Sequence, residues 1–139
     1  MPLFEPIRIT GIIEDSVTRP RNDGTPGSAL YSVPFQLSRR PPPEWADYFP
    51  KAWDHPSSWT SSHRPGICSV SSDRIWLNGT TLDEVEKTHK PTLQLALDET
   101  NRKYAEYAEQ RAIQEEKHRK QEEDHRRFVA ESIKKINFD

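Results

Sequence analysis

Gln114-Glu115-Glu116-Lys117-His118-Arg119-Lys120-Gln121-Glu122-Glu123-Asp124-His125-Arg126-Arg127 contains no apolar side chain. Such a stretch has nothing to bury against a domain. Its charge order nevertheless favours a helix: Glu115 stands four residues before Arg119, Glu116 before Lys120, Glu122 before Arg126 and Glu123 before Arg127, each with the acid on the N-terminal side. These pairs are individually weak and screened by salt, but they all act in the same direction. As a helix the stretch would project about 20 Å.

Both flanks of this shaft continue the helical pattern. On its N-terminal side Leu93, Leu97, Tyr104 and Ala108 recur at spacings of four, seven and four, the stripe of a helix laid on a core. On its C-terminal side Phe128, Val129, Ile133, Ile136 and Phe138 turn apolar again. The segment from about Thr92 to about Ile136 therefore reads as one helix with a packed base to about Ile113, a charged shaft and an apolar tip.

The remainder of the chain supplies the base with something to pack on. Ile7, Ile9, Gly11 and Ile13 alternate with polar neighbours and predict a strand between Phe4 and Glu14; Tyr31, Val33, Phe35 and Leu37 predict a second. Between them runs a breaker-rich loop, Arg19 to Ser28. Pro34 lacks an N–H, which implies an edge position for the second strand. Pro41-Pro42-Pro43 suits a helix start, and Trp45, Phe49 and Trp53 carry one face of a helix over about 43–54, bent at Pro50. After a Ser-rich irregular stretch, Gly66–Val70 and Arg74–Leu77 read as a hairpin turning near Ser72 and ending at Asn78-Gly79. Thr81 and Glu84 have the spacing of a capping box, so a helix starts at about 82, and Pro91 predicts a kink or short break before the long helix. The fold class expected is α+β: a small β-β-α-β-β-α head over residues 1–97, continuous with a long charged helical extension over 98–139.

Composition narrows the function classes. With 20 basic and 22 acidic residues the chain carries a formal charge of −2, and neither half is a basic footprint for nucleic acid. One cysteine, Cys68, excludes an intramolecular disulfide and thiolate-pair metal sites. No signal-like or membrane-spanning run is found, so a cytoplasmic protein is expected, with no membrane partner.

Several constellations have a chemical reading and a structural one. Glu115-x-x-His118 and Glu122-x-x-His125 have the spacing of di-metal helices, but without apolar neighbours to exclude water they read as a solvated charge run. Trp45, Phe49, Trp53, Trp59 and Trp76, with Arg39, Arg40, Arg64 and Arg74, offer a nucleic-acid or nucleotide platform, although helical spacing makes most of these rings core and leaves Trp59 exposed. The loop Gly24-Thr25-Pro26-Gly27-Ser28 lacks the Lys of a phosphate loop and reads as a connector. Cys68 with His55 or His63 is the one pairing available for nucleophilic catalysis, and a strand cysteine is more often inert. Asn78-Gly79-Thr80 matches a glycosylation acceptor and reads as a turn.

No catalytic residue, cofactor site or metal site is assigned. The expected function is that of a small interaction or assembly protein. Its tip residues Phe128, Val129, Ile133 and Ile136 would dock onto a protein partner or a second copy. The alternative is a nucleic-acid or nucleotide-binding module, with an enzyme a more distant third.

Overall fold

The computed structural model describes residues 4–136 and Phe138. Four antiparallel strands, β1 (Ile9–Ile12), β2 (Tyr31–Leu37), β3 (Cys68–Ser71) and β4 (Arg74–Thr80), form one sheet in the order β1-β2-β4-β3. Helix α1 (Pro43–Asp54) connects β2 to β3, and after β4 the chain enters a short helix α2 (Leu82–Glu84) and then α3 (Lys90–Lys135). This is the α+β head with its long C-terminal helix.

The alternation in β2 and β4 sends Val33, Phe35, Leu37, Ile75 and Leu77 to one face, where α1 contributes Trp45, Phe49 and Trp53 and α3 contributes Leu93, Ala96 and Leu97. Trp45 and Phe49 stack with centroids 5.3 Å apart, as one helical turn between them allows. The first strand is shorter than its sequence pattern. Phe4 and Ile7 enter the core from an extended approach before β1, Ile7 being fully buried.

Pro34 does not mark an edge strand. β2 lies inside the sheet between β1 and β4. The Pro34 carbonyl accepts the Ile13 N–H at 3.1 Å, so its nitrogen also faces β1, at the place where that strand ends and turns into a 3-10 turn over Glu14–Ser16. The missing N–H falls where the ladder stops. β4 likewise outruns its expected end: Asn78 and Gly79 lie within it, with the Asn78 N–H donating to the Ile67 carbonyl at 2.7 Å, so the Asn78-Gly79-Thr80 stretch is strand and not turn.

No break separates the base from the long helix. Val85–His89 form a single π-helical turn, closed by the Lys90 N–H on the Val85 carbonyl, and Lys90 keeps helical angles (φ −55°, ψ −49°). Pro91 lacks an N–H and its ring would crowd the carbonyl four residues back; a widened turn before it keeps the helix running. Of the capping box only half forms. Thr81 Oγ1 accepts the Glu84 N–H at 3.1 Å, while the Glu84 carboxylate accepts from Arg64 (2.8 Å) and Thr80 Oγ1 (3.2 Å). Tyr31 fixes the same corner, its hydroxyl oxygen accepting the Leu82 N–H at 2.7 Å.

One side chain joins the N-terminal segment, α1 and α3. Asn101 Oδ1 accepts the Ile7 N–H (3.0 Å) and the indole N–H of Trp45 (2.9 Å), and its Nδ2 donates to the Ile7 carbonyl (2.8 Å). Trp45 is fully buried, so its indole N–H has no water to turn to. Substituting Asn101→Ala would strand two donors and one acceptor, at a cost of about 2–4 kcal/mol. The expected outcome is a lower midpoint in urea-induced unfolding with an unchanged slope; an unchanged midpoint would show that the Asn101 contacts contribute nothing net.

Candidate docking site

α3 comprises 46 residues, about 69 Å of helix. Thr92, Leu93, Ala96, Leu97 and Thr100 are buried against the head, Tyr104 packs at 4.5 Å on the Phe4 ring, and the Tyr107 hydroxyl reaches Glu44 at 3.4 Å. Beyond that the contact thins, and from Ile113 to Glu131 every residue is exposed. The packed base thus ends short of Ile113.

The shaft is held by ion pairs other than those its sequence order suggests. None of the four acid-first pairs is made among the described residues. Arg111 bonds Glu115 (3.2 Å), His118 faces Glu122 (3.1 Å), and Arg119 bridges Glu116 (2.5 Å) and Glu123 (2.9 Å). The forked guanidinium of Arg119 reaches a carboxylate one turn to either side, which takes both acids from their expected bases. The resulting hydrogen bonds hold the Glu116 carboxyl below the ordinary range.

The tip residues are exposed as a group. Phe128, Val129, Ile133 and Ile136 leave 39% to 64% of their surface in solvent. At about 100° per residue Val129 and Ile133 lie about 40° apart on the helix. Phe128 stands away from this stripe, its ring 6.4 Å from that of His125. α3 ends at Lys135, and Ile136 leaves it with extended angles. The structure thus brings Val129 and Ile133 into one stripe and turns Phe128 to another face, about 100° from Val129 and about 140° from Ile133.

The other constellations resolve differently. Trp45, Phe49 and Trp53 are fully buried, so no base can stack on them, whereas Trp59 is 58% exposed. Arg64 is bound to Glu84, and Arg39 lies over Phe4 and donates to the Glu5 carbonyl. In the Arg19–Ser28 loop Asp23 accepts from the Thr25 N–H, and the Ser28 N–H and carbonyl bond Thr25 and Asn22. Those amides are therefore turned inward, away from any anion. Burial pushes the Cys68 thiol far up, reinforced by Asp54, so it does not supply a thiolate. Among the described residues no three His, Cys, Asp or Glu side chains converge as a metal site, and no helix is long and apolar enough to cross a membrane.

Two features carry no sequence signal that spacing alone would reveal. A groove of about 570 Å³ opens between β1 and the start of the helical segment, with Ile12, Phe35, Leu82, Val85 and Leu93 in its walls. His89, in the π turn, is fully buried with neither ring nitrogen hydrogen-bonded, its ring 5.3 Å from that of Trp53. His63 lies on another side of Trp53 at 4.6 Å and is flanked by Trp59 at 4.8 Å.

No family model, curated protein or solved structure matches this chain.

Burial holds the His89 pKa below the ordinary histidine value, with Glu84 opposing and His63 and Arg64 reinforcing the shift. The unfolded chain then takes up the proton more readily, so stability is full above about pH 6.5 and is lost as pH falls through that value towards the lowered one. His63 is shifted the same way, chiefly by burial. Denaturant titrations should show stability falling from about pH 7 to about pH 5, and His89→Leu should flatten part of that slope. Identical slopes in the two proteins would exclude His89 as a contributor.

Proposed function

We propose that this chain is a small interaction protein whose long helix carries a docking tip, used for self-assembly or for holding a protein partner. The observation that carries this reading is the run of exposed Phe128, Val129, Ile133 and Ile136 on the far side of a shaft that contains no apolar residue. Scattered exposed apolar residues are ordinary on a protein surface, but a cluster at the end of a charged helix has no neighbour among the described residues to cover it.

Magnitudes set the strength of such docking. Burying the exposed part, about half, of four side chains of this size contributes on the order of 3–6 kcal/mol. Association costs about 4–15 kcal/mol. One tip on one surface therefore gives reversible binding, and stable assembly calls for more than one such contact.

The nucleic-acid reading draws less support from the head, where three of the five candidate rings are enclosed and three of the four candidate arginines, Arg39, Arg64 and Arg74, already have partners. The enzyme reading draws less still, because the one thiol is kept protonated.

The test compares the full chain with one ending at Arg127, by light scattering and by capture of partners on the immobilised protein. The full chain should show a higher solution mass or retain a partner, and the truncated chain should lose it, while both keep the same thermal unfolding of the head. Equal mass together with equal capture would remove the tip from the function.

A further inference from the structure

Apart from Trp59, Leu95 and Ile113, which stand singly, the large apolar side chains left in solvent among the described residues collect at two places. One is the tip. The other is the mouth of the groove between β1 and the start of the helical segment, where Ile12 on one wall is 43% exposed and Leu82 on the other 44%. The end of the groove at Leu82 is surrounded by acids: Asp83 follows Leu82, Glu86 stands in the wall one turn on, and Glu14 and Asp15 form the turn just after β1. Lys87, beside Glu86, is already held by Asp83 at 3.1 Å, and Lys90 stands further along the wall, towards Leu93.

The tip has the complementary form. At about 100° per residue, the charged residues between Arg127 and Lys135, namely Lys134, Arg127, Glu131 and Lys135, fall within about 100° of the helix circumference. Phe128, Ser132, Val129, Ile133 and Ala130 spread over about 200° of the remainder with no charge among them. Lys134 borders that uncharged side on one flank and Lys135 on the other. With Arg126 just before it, the segment carries four bases and one acid. A helix so divided lays its uncharged side into an apolar groove and keeps its long basic side chains at the rim.

We propose that the tip of one copy of this chain docks, uncharged side inward, in the groove between β1 and the helical segment of a second copy. This rests on the reading of the tip as a docking element and names the surface that receives it. Sign and reach choose this occupant. The basic tip meets the acidic end of the groove, where Glu86, Glu14 and Asp15 have no ion-pair partner within the described chain to compete for its lysines. A chain cannot fill its own groove, because Leu93 and Val129 lie on one unbroken helix about 54 Å apart along its axis.

The contact is heterologous: each copy gives a tip and offers a groove, so a pair joined once still has one of each to give. Its charges lie at the rim, where they guide the approach more than they add affinity. One helical face in one groove is small beside the roughly 1,200 Å² or more of a stable interface, so the association is reversible and grows with concentration.

Two full-length variants separate the giving and receiving surfaces. Ile12→Lys with Leu82→Lys closes the groove to a basic tip and leaves the tip intact; Val129→Gln with Ile133→Gln blunts the tip and leaves the groove intact. All four positions are exposed, so both proteins should keep the circular dichroism and unfolding midpoint of the parent. By light scattering the parent should gain mass as concentration rises, and each variant alone should stay at the mass of one chain. An equimolar mixture of the two variants should reach the mass of two chains and go no further, since it holds one intact tip and one intact groove per pair. Raised salt, or Glu86→Lys, should weaken the association of the parent several-fold. A parent that gains mass while the mixture stays at one chain would overturn the groove as the receiving surface and leave tip docking in place. A parent that stays at one chain throughout would overturn docking between copies; the truncation comparison, repeated with phosphatidylserine-containing vesicles, then reports separately whether the tip docks on a protein or on an anionic lipid surface.

Discussion

Three hydrogen bonds from Asn101 hold the architecture together. The N-terminal segment, α1 and α3 are far apart in sequence, and the fully buried Trp45 requires a partner for its indole N–H wherever it packs. Asn101 meets that requirement and also closes both backbone groups of Ile7. An amide side chain is suited to this position because it offers an acceptor and a donor together, matching the N–H and the C=O of one residue. Through this contact the approach to β1 is held against the long helix, which fixes where α3 leaves the sheet.

From that fixed exit everything distal follows mechanically. The head grips α3 as far as about Tyr107, and the helix then carries its apolar end clear of the core. A projection of this kind is held straight only by its backbone hydrogen bonds and by side chains on its own surface. The charged shaft fulfils that requirement with Arg119 as its centre, joined to carboxylates one turn above and one turn below.

Much of this was legible in the residues. Period-two alternation in Tyr31–Leu37 located β2, the proline run located the start of α1, and the charge-only stretch located the projecting helix. The tip could be read for the same reason, since apolar residues beyond a polar shaft stand out in one dimension. What escaped depends on neighbours across the fold. Pro34 looks like an edge residue until the early end of β1 is known. The partners of Arg119 depend on how one guanidinium divides between two equidistant turns. Pro91 announces a disturbance but does not say whether the helix breaks or widens. Asn101 and His89 carry no local pattern, because their roles come from what three other elements place around them.

The π turn at Val85–His89 has a geometric consequence for the far end of the molecule. A π turn holds one residue more than an α turn, and each residue of an α-helix advances the azimuth by about 100°. Removing a single residue from this turn would swing Phe128, Val129 and Ile133 around the helix axis by roughly a quarter of a revolution while leaving the sheet untouched. The compass bearing of the tip is thus set some forty residues upstream, at the root of the lever.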